Sequence, residues 1–326
     1  MSKFIMLVGL PASGKSTLAE KLSKEENAVI LSSDSIRKEL LNDVNNQDHN
    51  VKVFETMNSR TKELLSQGKN VIYDATNINR KRRIHLIKHE IKADEKVVYY
   101  LNSHVMNSEY RDEKRDRKVG NEVIHKMYKN LHIPVENEGW DKVIYTEHDN
   151  KYFERFKKHH EKAIDAGSTH DVLFNELSTF IPEFKHIKDL SQDSSYHSFS
   201  VSRHTYHVYK QIFENYHEQD RLMMLWVSLF HDLGKAFCKS FVNHKGEETK
   251  YANFIGHEYV SAQLAATYLD LLGYDVDFIK QVTTLIQFHM MPMKASEKKI
   301  DEVNRLIGDE LFRKLMILHE ADTNAK

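Results

Sequence analysis

Up to residue 150, short apolar runs recur between segments of helical periodicity. The runs Lys3–Val8, Ala28–Ser32, Asn70–Tyr73, Lys96–Leu101 and Lys142–Tyr145 are too short for helices, which predicts strands. Amphipathic segments such as Val51–Gln67 and Arg80–Glu90 lie between them, and Gly68 stands where a helix C-cap is expected before the third strand. This alternation predicts an α/β domain, a parallel sheet flanked by helices. Past residue 150 the strand signals nearly vanish. Long amphipathic segments at Tyr152–Ala166, Thr205–Tyr216, Arg221–Asp232, His257–Leu272, Phe278–Phe288 and Asp309–Asp322 predict an all-α domain. A helical linker over 151–167, broken at Gly167-Ser168, would join a domain at 1–150 to one at 168–326. The stretch Asp189–Ser202 reads as a polar loop.

The first apolar run leads straight into Gly9-Leu10-Pro11-Ala12-Ser13-Gly14-Lys15-Ser16, which fits G-x-x-x-x-G-K-[ST], and helix formers follow at Leu18–Leu22. In that strand–loop–helix setting Gly9, Ser13 and Gly14 let backbone N–H groups turn toward phosphates, with Thr17 beginning the helix. Lys15 reaches the β- and γ-phosphates and the Ser16 hydroxyl holds Mg²⁺. The predicted cofactors are therefore ATP and Mg²⁺.

A phosphate loop names no acceptor. After the second strand comes Ser33-Asp34-Ser35-Ile36-Arg37. Asp34 can orient an attacking hydroxyl and accept its proton, or it can cap the following helix. Arg37, on the same side of that helix, can clamp an acceptor phosphate. Asp74, closing the third strand, suits magnesium or substrate, or a cap or turn. The cluster Arg80-Lys81-Arg82-Arg83 offers anion contacts or a solvated helix face. A charged helix over Glu109–Lys118 would put Arg111 and Arg115 on one face, with Arg117 nearby. These arginines can close over ATP phosphates, or the helix is a surface helix ion-paired to Asp112, Glu113 and Asp116.

Composition narrows the classes. The chain has 326 residues, 40% hydrophobic and 29% charged, enough for a core in each of two domains. A formal net charge of −1 argues against general polyanion binding, so any nucleic acid must be held by a local basic patch. The single Cys238 excludes an internal disulfide and fits a reducing, cytoplasmic setting. No segment resembles a signal peptide or spans a bilayer, so no membrane partner is expected.

Histidine is the outlier: of 20, most lie past residue 150. His197, His207 and His217 read as ordinary surface or capping residues. The ordered set His204, His231-Asp232, His257, His289 and Asp322 falls in successive helical segments. Imidazole and carboxylate suit Mn²⁺, Ni²⁺, Co²⁺ or Zn²⁺, and a helix bundle can project them onto one or two ions for phosphoester hydrolysis.

The phosphate loop, Ser33–Arg37, Asp74-Ala75-Thr76-Asn77 and the arginine-bearing segment ending in Met127-Tyr128-Lys129 together resemble the kinase module of the polynucleotide 5′-hydroxyl kinases. That resemblance implies that Asp34 is the general base toward a 5′-OH, that Arg37 binds the acceptor phosphate, and that Arg111, Arg115 and Arg117 contact ATP. The second half resembles the HD-domain phosphohydrolases in Ser202-Arg203-His204-Thr205, Phe230-His231-Asp232-Leu233-Gly234-Lys235, Gly256-His257-Glu258, Phe288-His289-Met290 and Glu320-Ala321-Asp322. It implies His204, His231, Asp232 and Asp322 as core ligands, His257 and His289 for a second metal, and Lys235 against the scissile phosphate. Kinase plus phosphohydrolase implies end healing of RNA or DNA, with removal of a 3′-phosphate or 2′,3′-cyclic phosphate and a ligase acting downstream. The Asp-x-Asp-Gly-Thr motif common in bifunctional polynucleotide kinase–phosphatases is absent: Asp275-Val276-Asp277 lacks the continuation. The HD module would take that place, after the kinase rather than before it. Two rivals remain: a nucleoside or other small-molecule kinase fused to an HD nucleotidase, and an ATP-binding switch that regulates the HD site.

Overall fold

The computed structural model describes residues 2–325 apart from 45, 47, 147–152, 194–198, 294 and 295, and the side chains of 154 and 155 are likewise outside it. The expected domain boundary at 150, the helix start at Tyr152, and His197 lie outside the described residues. The chain divides into compact units at Met1–Thr146 and Glu147–Lys326.

In the first unit, strands β1 (Lys3–Val8), β2 (Ala28–Ser32), β3 (Asn70–Asp74), β4 (Glu95–Tyr100) and β5 (Lys142–Tyr145) form one parallel sheet in the order β2-β3-β1-β4-β5. Phe4 to Val8 of β1 are buried, as a central strand covered on both faces requires. Helix α1 (Lys15–Glu25) sets Ala19 and Leu22 against Ile5, Leu7 and Ile72. Helices α2 (Ser33–Leu41) and α3 (Asn50–Ser66) follow β2, and α4 (Arg80–His85) follows β3. The helix expected to run unbroken over Arg80–Glu90 changes to π geometry at Leu86–Glu90. Helices α5 (Val105–Glu113) and α6 (Asn121–Tyr128) complete the unit. Every strand end that follows β1, β2 and β3 in the chain therefore faces one edge of the sheet, where α/β folds gather ligands.

Two members of the basic cluster depart from both expectations, while Lys81 and Arg82 stay exposed. Arg80 and Arg83 are buried, and both bond Glu138: Arg83 Nη2 donates at 2.7 Å and Arg80 Nε at 3.1 Å. Trp140 Nε1 donates to the same carboxylate at 3.1 Å. The pair of guanidiniums anchors the segment before β5; it does not bind anions at the surface. Burial alone would raise the Glu138 pKa, but Arg83 and Arg80 overcome it and hold the carboxyl below its ordinary range.

The second unit consists of helices α7 (Glu154–Asp165), α8 (His170–Leu177), α9 (Glu183–His186), α10 (Val201–Asn215), α11 (Arg221–Phe230), α12 (Lys235–Cys238), α13 (His257–Leu271), α14 (Val276–Phe288), α15 (Glu297–Ile307) and α16 (Asp309–Asn324). A hairpin, β6 (Ser240–Val242) with β7 (Glu248–Asn253), interrupts them. It is a departure from the all-α expectation: its charged residues hide the two-residue alternation. Helix α13 is buried on nearly all sides, as the centre of a bundle must be. The segment expected as a linker packs into this unit, where Tyr209 Oη donates to the Ile164 carbonyl at 2.5 Å and Lys157 lies over the Tyr274 ring. Among the described residues no helix is long and apolar enough to cross a membrane.

The Glu138→Gln variant should lose roughly 3–5 kcal/mol, because two buried guanidiniums lose their counter-charge. A depressed folded pKa means that the stabilisation is present above the ordinary carboxyl pKa and fades as pH falls below about 4.5. Urea unfolding of wild type and variant followed by tryptophan fluorescence from pH 7 to pH 3 checks this: the gap should narrow toward acid.

Candidate nucleotide and metal sites

The N-terminal site is built on the turn that follows β1. Gly14 takes φ +103° and Ala12 φ +57°. A Cβ on Gly9 would meet Ser13 Oγ at 2.8 Å and Leu101 Cβ at 3.1 Å, so only glycine lets the loop fold back here. Asn77, itself at φ +49°, donates to the Leu7 carbonyl at 2.7 Å, and Gly9 N donates to the Thr76 carbonyl at 3.1 Å. These bonds tie the loop to the segment after β3, a role for Asn77 that the sequence reading missed. The signal was present: Asn tolerates the left-handed region that this turn needs.

Lys15 Nζ donates to the Gly9 and Leu10 carbonyls at 3.2 and 2.6 Å. Burial pulls its pKa down to about 8; Asp74 opposes that shift and Arg115 adds to it. Ser16 Oγ stands 3.5 Å from Asp74 Oδ2, so hydroxyl and carboxylate converge where a hard cation can take oxygen ligands. Burial raises the Asp74 pKa against the pull of Lys15. Ser13 Oγ is buried without a hydrogen-bond partner in the loop. Thr17 follows in the first turn of α1.

Asp34, in the first turn of α2, is held from two sides. Arg37 Nη1 donates to one oxygen at 2.9 Å and Arg117 Nη1 to the other at 2.7 Å. Arg37 is buried and its Nη2 is fixed by Asn50 Oδ1 at 2.8 Å, while the Asp34 side chain stays 55% exposed. Asp34 makes no side-chain cap bond for α2, whose N-cap is Ser32. The arginine segment differs from expectation. Helix α5 ends at Glu113, so Arg115 and Arg117 lie on the following loop and do not share a helix face with Arg111. The physical reason is Asp112: buried, it accepts from Val119 N and Gly120 N at 2.9 Å and folds the chain back. Arg111 Nη1 donates to the Ser13 carbonyl at 3.2 Å. Arg111 and Arg117 thus reach the phosphate loop and Asp34 respectively.

The second site converges on Asp232. His231 caps the C-terminus of α11, Asp232 lies in the next turn, and Lys235 opens α12. His204 comes from α10, His257 from the start of α13, His289 from the C-cap of α14, and Asp322 from α16. All are buried. His204, His231 and Asp322 form one group able to hold a metal ion, and Asp232, His257 and His289 form another. Asp232 spans them: Oδ2 lies 3.5 Å from His204 Nε2 and 3.4 Å from His231 Nε2, and Oδ1 lies 3.2 Å from His257 Nε2 and 3.9 Å from His289 Nε2. Asp322 Oδ1 sits 2.8 Å from His204 Nε2.

The imidazoles are oriented as ligands. Nδ1 of His231, His257 and His289 bonds the carbonyls of Ser228, Phe254 and Ile286 at 2.7, 2.8 and 2.7 Å, each three residues back. His204 Nδ1 bonds the Ala325 carbonyl at 3.0 Å. A carbonyl only accepts, so each Nδ1 donates and each Nε2 is left facing the cluster, where its neutral form can serve as a ligand. His231 Nε2 is buried 3.4 Å from Asp232 Oδ2 without a well-formed hydrogen bond; burial lowers its pKa, but Asp232 and Asp322 outweigh that and raise it, a setting that also suits a bound cation. Burial lowers the His289 pKa to about 3, aided by His257 and His231, so it stands neutral. Burial works against ionised Asp232, yet Lys235 and His231 hold its pKa well below the carboxylate range. Lys235 Nζ lies 2.7 Å from Asp232 Oδ2 and donates to Gln192 Oε1 at 2.8 Å.

Gly234 makes the cluster possible. A Cβ there would meet the His257 carbonyl at 2.6 Å and Ser261 N at 2.8 Å, both backbone, and Gly234 N itself donates to Ser261 Oγ at 2.9 Å. The turn carrying Asp232 can therefore press against the start of α13. Helix α16 is drawn in by buried Lys314, whose Nζ pairs with Asp220 at 2.5 Å and Glu310 at 2.8 Å. Sequence spacing could not reveal either contact, nor the partnership of Gln192 with Lys235.

Two variants test this geometry. Gly234→Ala should cost about 1–3 kcal/mol by overpacking and lower the retained metal. Asp232→Asn should keep the fold and abolish metal retention. Elemental analysis of protein dialysed against Mn²⁺, beside thermal melts, reads both.

Residues 4–132 match the family model of an AAA domain and residues 195–323 that of an HD domain. The chain is 32% identical over 143 residues to the L-seryl-tRNA(Sec) kinase of Methanococcus maripaludis, covering 42% of this chain and 55% of that protein. It thus spans about half the length of the curated relative it matches. A chain in the solved structure of the Pnkp1/Rnl/Hen1 RNA repair complex is similar at 24% identity over 40% of this chain and 44% of that one, with a TM-score of 0.35. The protein accordingly joins an N-terminal P-loop domain on a five-stranded parallel sheet to a C-terminal helical HD domain.

Proposed function

We propose that the protein heals nucleic-acid ends: its P-loop domain phosphorylates a 5′-hydroxyl from ATP, and its HD domain removes a 3′-phosphate or opens and clears a 2′,3′-cyclic phosphate. The observation that carries this reading is the pairing of exposed Asp34 with buried Arg37. A carboxylate open to solvent suits an incoming hydroxyl, and a fixed guanidinium three residues on suits a phosphate borne by the same acceptor. An acceptor with a hydroxyl and a nearby phosphate is what the 5′ end of a polynucleotide presents. That a relative is named a seryl-tRNA kinase supports transfer to a hydroxyl carried on RNA.

Bound divalent cations, magnesium with ATP and a transition metal such as Mn²⁺, Ni²⁺, Co²⁺ or Zn²⁺ in the HD cluster, supply neutralisation of phosphate charge. The protein's own groups do the rest. Lys15 exchanges the Gly9 and Leu10 carbonyls for phosphate oxygens, with the loop N–H groups around it. Ser16 and Asp74 offer the oxygens for magnesium. Asp34 accepts the hydroxyl proton as the oxygen–phosphorus bond forms and the bond to the β-phosphate oxygen breaks, releasing ADP. Arg111, Arg115 and Arg117 offset charge on the transferring group. In the HD domain His204, His231, Asp232, His257, His289 and Asp322 hold the cations, and Lys235 steadies the phosphate. The products, a 5′-phosphate and a free 3′-hydroxyl, are what a ligase consumes.

The reading is tested with a short RNA bearing a 5′-OH and a 2′,3′-cyclic phosphate, labelled ATP, Mg²⁺ and Mn²⁺. Lys15→Ala and Asp34→Ala should lower 5′ labelling at least about a hundredfold and spare 3′ processing, and Asp232→Ala should do the reverse. Conversion of nucleosides or nucleotides with neither RNA end changed would replace this reading with a small-molecule kinase and nucleotidase.

A further inference from the structure

The β6–β7 hairpin is used by nothing described so far, yet both of its roots are at the HD cluster. It leaves the chain after α12, which begins with Lys235, and returns at Ile255-Gly256 just before His257. Phe254 lies at its base: its carbonyl fixes His257 Nδ1, and Lys235 Nζ stands 5.4 Å from its ring. The Asp193 carbonyl accepts from Ala252 N at 3.1 Å, next to Gln192, which holds Lys235. The hairpin is therefore pinned to the cluster.

The hairpin exposes apolar side chains, Phe241 and its neighbour Val242 on opposite faces of the strand. Phe241, Val242 and Tyr251 are each 45% exposed and Ile255 is 54% exposed, whereas the rest of this unit buries its large side chains with few exceptions. Cations accompany the rings. Lys250 Nζ lies 5.3 Å from the Tyr251 ring centre and Lys245 is at the tip; Lys239 Nζ, 5.9 Å from the Phe241 ring centre, is paired with Asp193 at 2.5 Å and the Ser191 carbonyl at 2.7 Å. Two acidic residues share the ribbon; Glu247 is engaged by Asn243 at 2.9 Å in the turn. Met290, next to His289 in the chain, is also exposed.

Flat rings next to ammonium groups fit a ligand that alternates aromatic faces with phosphates. We propose that the β6–β7 hairpin is a stacking platform for the last nucleotides of a single strand, with bases on Phe241 and Tyr251 and phosphates toward Lys245 and Lys250. This rests on the end-healing reading and gives the HD site its preference for polymer ends over mononucleotides. Within a duplex the base faces are taken up by stacking on one another, so splayed single-strand nucleotides suit the platform better.

Two measurements on the full chain test it separately from the reading on which it rests. In EDTA, an oligouridylate carrying 5-iodouridine in its last two positions should photocrosslink to Phe241 or Tyr251. The Phe241→Ala/Tyr251→Ala variant should lose that crosslink and Phe241→Trp/Tyr251→Trp should restore it. With Mn²⁺, the ratio of kcat/KM for a 12-nucleotide RNA ending in a 2′,3′-cyclic phosphate over that for 2′,3′-cyclic AMP should fall at least about tenfold in the alanine variant. Crosslinks mapping away from the hairpin, or an unchanged ratio, would overturn the platform. Crosslinks on the hairpin with neither substrate hydrolysed would instead remove the hydrolytic reading and leave the platform in place.

Discussion

The carboxylate of Asp232, only 2% exposed, faces His204 and His231 through one oxygen, His257 and His289 through the other, and Lys235 beside them. Taking a carboxylate out of water costs several kcal/mol unless charge and hydrogen bonds replace the lost hydration. Meeting that demand needs donors from many directions at once, and the HD domain is arranged to bring them. Helices α10, α13, α14 and α16 and the turn after α11 each deliver one or two groups, and the apolar faces of α11 and α13 shut water out behind them. A change in any of these packings is felt at one carboxylate. Gly234 shows how tight the tolerance is, since a single methyl there would strike two backbone atoms of α13.

The same helices choose the tautomers. His231 and His289 stand at helix C-caps, and each gives its Nδ1–H to the carbonyl three residues back, a carbonyl that for His289 also accepts its own backbone N–H at 3.3 Å. The bond fixes the ring with Nε2 inward. An imidazole placed in mid-helix would find its neighbouring carbonyls already occupied. The location of ligands at helix ends is thus part of how the site works.

Much of this was legible in the chain. The five strands are short apolar runs, and a parallel sheet covered on both faces asks for such runs, so their positions followed from pattern alone. The phosphate loop and the ordered histidines announced themselves because each chemistry needs a fixed residue type, and the structure brings all six HD residues together. What sequence hid was long-range. Arg80 and Arg83 read as a surface charge cluster because their partner, Glu138, lies more than fifty residues on. The end of α5 was misplaced because Asp112, which turns the chain, looks like one more charged residue of a helix until its carboxylate is seen on Val119 N and Gly120 N. The hairpin escaped because its lysines and glutamates mask the alternation of a strand.

On the proposed reading the two sites meet the charge of phosphate by opposite means, in keeping with their different burial. The phosphate loop presents neutral N–H groups and one lysine that burial has already brought down to about 8, so an arriving anion restores a proton preference the fold had weakened. Its carboxylates stand aside: Asp74 is directed at Ser16, and Asp34 remains largely exposed between two arginines. The HD cluster is the reverse. Once its imidazoles are neutral, as metal ligation requires, two buried carboxylates face a single ammonium, an arrangement unfavourable to an anionic phosphoester. Only added cations turn such a centre from repulsive to attractive. On that reading the donor set calls for divalent metal, whereas the first site takes its cation chiefly with the nucleotide.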